Sequence, residues 1–198
     1  FDGESYRNSS IENFRKSSEW LIKKNIQIVR IGNRGMVKCS FSKKIIDITK
    51  VNFKTHKELI DLYLIENCKF LIGSASGPYI IASAYNKPML LVDMAPLGNV
   101  FPCAKRGISL PKLYKNKNNE LIKFKEILSN KFSHLRLDVQ FKKNNIKLVN
   151  NTSNEIFIST KEMLKRVEKN NFKEDLLQKK FKKLLLSYKI DSAIANTS

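Results

Sequence analysis

The feature that most constrains the fold is an alternation, along most of the chain, of short apolar runs with segments of helical periodicity. The runs are rich in β-branched residues and have the length of buried parallel strands; they lie at residues 26–31, 45–48, 70–72, 89–92 and 146–149. Helices are predicted where apolar residues recur three and four positions apart, at residues 10–24, 55–65, 79–85, 120–130, 135–143, 153–169 and 173–188. This alternation predicts an α/β fold in which right-handed βαβ units form a parallel sheet with helices on both faces.

Two of the predicted helices begin with a capping-box pattern, in which a Ser or Thr is followed three residues later by Glu. The pairs are Ser9 with Glu12 and Thr55 with Glu58. Residues 93–119, in contrast, contain several Pro and Gly residues and are predicted to form a long irregular loop. Such a loop in a compact domain is more often functional than accidental.

The chain has 198 residues, enough for one α/β domain with an appendage but not for two such domains. We predict one domain over residues 1–170, followed by a basic helix and tail over residues 171–198. No window is apolar enough for a membrane span, and the start of the chain lacks the order of a signal peptide. The three widely spaced cysteines predict neither disulfides nor a zinc site and fit a reducing cytoplasm. Residues 1–3 have the character of a strand end, and we expect a partner segment upstream.

Basic residues outnumber acidic ones by 37 to 18, which gives a formal net charge of +19 and attracts polyanions. Lysine greatly outnumbers arginine, however, and the lysines are spread along a chain rich in Asn and Ile, as biased composition alone would produce. Three explanations stay open: solvated lysine faces, attraction to anionic lipid or a phosphorylated acceptor, and nucleic-acid binding. Nucleic acid is the weakest of them, because arginines and aromatic residues do not interleave as they do on surfaces that bind it.

Residues 6–10 are the first candidate ligand-binding segment. They lie where a strand would lead into a capped helix, so free backbone N–H groups and the positive end of the helix dipole would face the loop. Arg7 adds a forked cation suited to phosphate, and Asn8, Ser9 and Ser10 add neutral donors. The alternative is plain helix capping by Ser9, with Arg7 in solvent.

Residues 73–78 form a second junction between a strand and a helix. Ser74, Ser76 and Gly77 are small enough for a ligand to approach the backbone, and Pro78 suits a first helical turn. Both loops would fall at the carboxyl ends of parallel strands, where open sheets bind their ligands. The alternative is a tight turn whose small residues serve packing. The glycine patterns of dinucleotide-binding and Walker loops do not occur in the sequence, so those ligands are not predicted.

Four strings carry a resemblance to a known family: YRNSSIEN at residues 6–13, IVRIG at 28–32, FLIGSASG at 70–77 and KPMLLVDMAP at 87–96. In this order they resemble a family of bacterial glycosyltransferases of surface-carbohydrate clusters. A weaker similarity continues to residue 168. The resemblance therefore covers most of the chain, and the order of the strings is more specific than any one of them.

The layout is also similar, more remotely, to the donor domain of heptosyltransferases. In that family a threonine-glycine loop opens a helix after the fourth strand and contacts the phosphates of the donor. Ser76 and Gly77 stand at that position here. The aspartate and the histidine usual in that loop are replaced by Ala75 and Ile80, so the sequence departs from the pattern that goes with heptose.

The resemblance implies a Rossmann-like domain that forms the C-terminal, nucleotide-sugar-binding half of a two-domain, cytoplasmic GT-B enzyme. An upstream domain would bind a glycan or lipid-linked acceptor and supply the catalytic base. No metal or other cofactor is expected, because helix N-termini and cationic side chains stabilise the departing diphosphate in such enzymes. The implied donor-binding residues are Arg7, Asn8, Ser9 and Ser10 on phosphate, Ser74, Ser76 and Gly77 on phosphate or ribose, Arg30 and Asn33 along the cleft, and Asp93 toward the sugar.

Two alternatives accompany this interpretation. Arg30 is equally a candidate for a structural ion pair. The whole chain is also a candidate for a basic Rossmann-like module without catalytic activity, which docks on nucleic acid or an anionic membrane through the lysine-rich helix predicted at residues 173–188.

Overall fold

The computed structural model describes residues 3–53, 56–99, 107–169 and 176–188. The helices are α1 (Arg15–Lys23), α2 (Lys57–Asn67), α3 (Gly77–Ala84), α4 (Phe124–Ser129), α5 (Asp138–Lys143), α6 (Ser153–Lys169) and α7 (Leu176–Ser187). The strands are β1 (Ile28–Arg30), β2 (Ile45–Asp47), β3 (Leu71–Gly73), β4 (Met89–Met94), β5 (Ile108–Pro111), β6 (Leu113–Lys115) and β7 (Lys147–Val149). The predicted α/β fold with parallel strands is confirmed at this level. None of the helices in these ranges is long and apolar enough to cross a membrane.

The parallel strands form two sheets rather than the single sheet expected. β1 pairs with β2 in parallel, with Ile28 opposite Ile45. β4 lies between β3 and β5, also in parallel, with Leu71 opposite Met89 where β3 meets β4. β6 and β7 form a separate antiparallel pair. The two parallel sheets stay apart because no strand of the described residues lies between β1 and β3.

β4 is the centre of the larger sheet and is wholly buried. Its alternate side chains enter two different cores, since successive residues of a strand point to opposite faces. Met89 and Leu91 pack with residues of α2 and α3. Leu90 and Val92 pack with Ile156 of α6. Helices therefore cover both faces of this sheet.

A third core is built from the antiparallel pair together with α4, α5 and α7. Tyr114 of β6 and Phe141 of α5 pack edge to face, with 6.1 Å between their ring centroids. Leu185 of α7 is buried in the same cluster, so the basic helix covers this core with its apolar side, while lysines such as Lys180 are exposed. The predicted domain boundary at residue 170 lies outside the described residues.

Three predictions of local structure were wrong. Residues 93–119 are not one irregular loop, because they contain β5 and β6; residues 100–106 of this segment lie outside the described ranges. Pro111 is tolerated because it ends β5, an edge strand whose partner is β4. The helix predicted at residues 120–130 begins only at Phe124, because the side-chain oxygen of Asn116 accepts hydrogen bonds from the N–H groups of Asn118 and Glu120 and holds a turn there.

The capping box predicted at Ser9 and Glu12 is not formed either. A short 3-10 turn precedes α1, and no side-chain cap is made at its start. Glu12 instead accepts a hydrogen bond from Arg15 at 2.7 Å. The second predicted box begins at Thr55, which lies outside the described residues.

Candidate anion-binding site at the carboxyl ends of the strands

A 3-10 turn at Ser5–Arg7 carries the first predicted ligand contact, and Asp138 fixes this turn. One carboxylate oxygen of Asp138 accepts hydrogen bonds from the N–H of Ser5 at 2.8 Å and its hydroxyl at 2.7 Å, and the other accepts from the N–H of Tyr6 at 2.9 Å. Burial alone would raise the pKa of Asp138, but these hydrogen bonds bring the pKa below its ordinary value. The start of α5 therefore holds the turn on which Arg7 stands.

Replacing Asp138 by Asn is expected to destabilise the protein near neutral pH but not in acid. Because the pKa of Asp138 is lower in the folded state, its stabilising effect is complete above the unfolded pKa of about 4 and is lost as the pH falls through the folded value. Urea unfolding at about pH 6 and about pH 2 should show wild type and Asp138→Asn separating at the higher pH and converging at the lower. The exposed Glu66→Gln serves as control. A gap between wild type and Asp138→Asn that persists in acid would rule out the carboxylate as its source.

Arg7 belongs to the first loop and lies within electrostatic reach of the start of α3. Its guanidinium pairs with Glu4 and is 38% exposed, while its Nε is buried and has no hydrogen-bond partner among the described residues. Burial raises the pKa of Tyr79, in the first turn of α3, and the positive charge of Arg7 opposes that rise, so the two side chains lie within electrostatic reach. The two predicted loops are therefore neighbours in the fold.

The three residues after Arg7 differ in what they offer. Asn8 is exposed, and its carbonyl oxygen accepts a hydrogen bond from the ammonium of Lys112 at 2.9 Å. The hydroxyl of Ser9 is buried without a hydrogen-bond partner in the described part of the chain. Ser10 is exposed and makes no side-chain cap. Plain capping by Ser9, the alternative left open by the sequence, is therefore not what this loop does.

Lys112 is the site residue that the sequence did not reveal. It directly follows β5 and is only 3% exposed, which is rare for a lysine. Burial lowers the pKa of Lys112, and the negative charges of Asp93 and Asp138 oppose that shift. A buried cation that directly follows a parallel strand and bonds to the first loop is typical of a functional site. Nothing in the sequence distinguishes it among 37 basic residues.

The second loop leads directly into α3. Ser76 stands at the N-cap but does not cap the helix, because its hydroxyl donates to the carbonyl oxygen of Ser74 at 3.2 Å. A Cβ atom added at Gly77 would meet no atom within 4 Å. Packing therefore does not require glycine at this position, and the space in front of the first turn of α3 is open. In this turn the N–H of Gly77 faces the loop, whereas Pro78 has no N–H and the N–H of Tyr79 donates to the carbonyl oxygen of Ser76 at 3.3 Å.

Arg30 and Asn33 have different surroundings. Arg30 forms an ion pair with Asp47 at 3.0 Å and also donates to the carbonyl oxygen of Val37. Burial would raise the pKa of Asp47, but hydrogen bonds from Thr49 and the backbone, together with Arg30, bring it below its ordinary value. Arg30 thus has the structural ion pair that the sequence left open. Asn33 is exposed in the turn that follows, and the structure does not bring it to the other residues.

Asp93 lies beneath the site and is 0% exposed. Its carboxylate accepts a hydrogen bond from the N–H of Asn151 at 2.5 Å, and its own N–H donates to the side-chain oxygen of Asn151 at 2.6 Å. The second carboxylate oxygen is buried without a partner among the described residues. Asp93 therefore joins the end of β4 to the start of α6, and its predicted contact with a sugar stays a prediction.

Four of the predicted residues line one cavity of about 530 Å³: Ser9, Arg30, Ser74 and Ser76. Most of its other lining is apolar, and the cavity lies between β1 and β3. The loop that carries Ser9 and the loop that carries Ser74 and Ser76 border the cavity where β1 and β3 end. Arg7 and Lys112 are not part of its wall: Arg7 lies within electrostatic reach of Tyr79 in α3, and Lys112 bonds to Asn8, the residue before Ser9.

Comparison of the chain with protein-family models, with curated proteins and with solved structures found no match. Among the residues that the structure describes, no three His, Cys, Asp or Glu side chains are grouped so that they could hold a metal ion. The chemistry that the site offers is that of cations, hydroxyl groups and the N-terminus of α3.

Proposed function

We propose that this chain binds the diphosphate of a nucleotide sugar and is the donor-binding, Rossmann-like half of a metal-independent glycosyltransferase. The observation that carries the proposal is the convergence of Arg7, Lys112 and the first turn of α3 at the carboxyl ends of the strands. Arg7 is near Tyr79 of α3, and Lys112 bonds to the residue after Arg7. A diphosphate has the negative charge and the oxygen acceptors that two cations and a helix N-terminus bind together.

Each of these groups has a defined part in binding a diphosphate. The guanidinium of Arg7 is a fork of N–H donors that matches two phosphate oxygens. Lys112 uses one of its three N–H donors on the carbonyl oxygen of Asn8, and its charge is little screened because it is buried. The hydroxyl groups of Ser9 and Ser74 are neutral donors for ribose or sugar, while that of Ser76 donates to the carbonyl oxygen of Ser74.

The same groups support the chemistry of sugar transfer. When the bond between sugar and phosphate breaks, negative charge grows on the departing diphosphate. Cations and helix dipoles that are already in place stabilise that charge without having to reorganise. Another domain would bind the acceptor, a glycan or lipid-linked sugar at the cytoplasmic face of a membrane. The same domain would supply the catalytic base.

The proposal is tested by thermal shift with UDP, GDP, CMP, ADP and their sugar conjugates, at near-physiological salt and with a chelator present. Nucleotides with one particular base should raise the melting temperature selectively, since a ligand that binds the folded state stabilises the protein by mass action. Arg7→Ala and Lys112→Met should each weaken binding by about 10- to 100-fold, the effect of losing one hydrogen bond to a charged group.

The chain offers a matched control for each variant. Arg15 forms an ion pair with Glu12 and is 46% exposed, so Arg15→Ala repeats the chemistry of Arg7→Ala away from the site. Lys180→Met removes an exposed lysine of α7. If every polyanion stabilises the protein equally, with a steep salt dependence that Lys180→Met reduces and Arg7→Ala does not, the donor-site proposal fails and the basic binding module explains the chain better.

A further inference from the structure

α7 is attached to the rest of the protein by one of its faces. Leu185 is 2% exposed and lies in the core that the antiparallel pair forms with α4 and α5. Phe181, one turn earlier, packs on Phe124 of α4 with 5.0 Å between the ring centroids. The fold therefore already covers the apolar face of this helix, and the opposite face points away from the core.

The outward face of α7 combines lysines with exposed leucines. Residues three, four and seven positions after Leu176 lie on the same side of the helix, and these residues are Lys179, Lys180 and Lys183. Leu176 is 67% exposed, and the adjoining Leu177 is 74% exposed. Open leucines next to a row of cations are typical of a surface that contacts both charged groups and hydrocarbon.

No negative charge on α7 offsets its cations. The twelve residues of the helix include four lysines and no acidic side chain. Of the ion pairs formed among the described residues, none includes Lys179, Lys180 or Lys183. The helices that share its core, α4 and α5, carry three lysines and two acidic residues, and one of these two, Asp138, is bound to the turn at Ser5–Arg7. This part of the surface is therefore strongly positive.

We infer that the outward face of α7 docks on an anionic lipid bilayer. Its lysines contact the lipid phosphates, while Leu176 and Leu177 in the first turn and Leu186 in the last turn reach the boundary of the acyl chains. A nucleic acid would pair with the lysines but leave the leucines in water. α7 also has no arginine and no exposed aromatic residue on which a base could stack. The inference does not depend on the nucleotide proposal.

The docked helix lies parallel to the membrane surface. Its twelve residues span about 18 Å, with exposed leucines in the first and last turns and lysines between them. The long lysine side chains keep their charges at the level of the lipid headgroups while their methylene groups cover apolar surface. Because the inner face of α7 stays on the core, the domain docks as a folded unit.

The test is co-sedimentation of the full chain with vesicles of phosphatidylcholine, with and without phosphatidylglycerol. The protein should bind the anionic vesicles and not the neutral ones, and added salt should weaken the binding by screening the charges. Replacing Lys179, Lys180 and Lys183 together by glutamine should lower the partition coefficient about 100-fold, since each lysine near an anionic surface contributes about fivefold.

A matched control removes the same charge elsewhere on the protein. Lys23 ends α1, and Lys43 and Lys44 precede β2; all three are exposed. Replacing these three by glutamine should lower the partition coefficient by less than about fivefold, the effect of one lysine at the membrane surface. Both triple variants should unfold at the wild-type urea concentration, because substitutions of exposed residues change stability little.

A second variant tests the leucines. Leu176→Ser combined with Leu177→Ser keeps the charge of α7 and should weaken binding to the anionic vesicles by about tenfold or more, because these two side chains no longer gain from leaving water. The same variant should bind single-stranded RNA as the wild type does, since that binding depends on charge.

Three results would overturn the inference. Equal losses in the two triple variants would mean that the net charge of +19 attracts vesicles from every side of the protein. Unchanged vesicle binding by the leucine variant would mean that α7 does not contact lipid hydrocarbon. Tighter binding to RNA than to vesicles at the same phosphate concentration would make nucleic acid the partner. The nucleotide-induced thermal shift should be the same in the triple variant of α7 as in the wild type, so the donor-site proposal is judged separately.

Discussion

Replacing Leu91 by alanine is expected to lower the free energy of unfolding by about 3 to 5 kcal/mol, the upper part of the range for buried leucine. Leu91 lies in the central strand β4, is 0% exposed, and packs in a core that includes Ile65 and Met89. The walls of the resulting cavity belong to a strand with partners on both sides and to two helices. They cannot collapse into the space, so the full cavity cost should be measured in a urea titration.

The matched variant is Leu71→Ala on the neighbouring strand β3. Leu71 packs on the same core but is only half-buried, and it lines the cavity between β1 and β3. Because a void is already present beside it, the expected loss is about 1 to 2 kcal/mol, the value of its remaining buried area. Equal losses for Leu71→Ala and Leu91→Ala would mean that Leu71 is covered in solution as completely as Leu91.

Replacing Asn151 by alanine is expected to cost about 2 to 4 kcal/mol, because it leaves a buried backbone N–H and a partly buried backbone carbonyl without partners. The side-chain oxygen of Asn151 accepts from the N–H of Asp93, and its amide donates to the carbonyl oxygen of Pro111 at 3.1 Å. One side chain thus ties the ends of β4 and β5 to the start of α6. The loss is read from chemical denaturation with the wild-type m-value retained.

Asn144→Ala is the control for this experiment. Asn144 is exposed and donates to the carbonyl oxygen of Gln140 at 2.8 Å within its own helix end, so its loss should stay within about 0.5 kcal/mol. If Asn151→Ala costs no more than Asn144→Ala, the hydrogen bond from the N–H of Asp93 to the side chain of Asn151 does not exist in solution.

The Asn151 variant also bears on the site above it. Asp93 lies within electrostatic reach of Lys112, which in turn holds the loop of Asn8. Disturbing Asp93 should therefore weaken the nucleotide-induced thermal shift as well as the fold. Asn151→Ala should lower both the stability and the thermal shift, as expected for a residue that supports the site. Lys112→Met should lower the thermal shift more than the stability, as expected for a residue that contacts the nucleotide.

Sequence patterns were most reliable where the interacting groups are close along the chain. The helix predicted at residues 153–169 is an example, because α6 has these bounds. A Thr-x-x-Glu pattern that we did not single out in the sequence opens this helix, since Thr152 and Glu155 exchange hydrogen bonds across three residues. The same pattern at Ser9 and Glu12 failed, since Arg15, also three residues from Glu12, competes for the carboxylate. A local pattern shows which hydrogen bonds are possible. The surrounding residues decide which of them form.

The sequence alone determined the alternation of strands and helices, the burial of β4 and the two loops that meet at the carboxyl ends of the strands. It could do so because periodicity, capping and apolar runs are written within a few neighbouring residues. Only the tertiary structure decided that Lys112 bonds to Asn8, that Asp93 bonds to Asn151, and that a cavity separates β1 from β3. Lys112 and Asn8 are 104 residues apart in the chain, and Asp93 and Asn151 are 58 apart. No pattern of neighbouring residues specifies such partners, because only the folded chain brings them together and buries them.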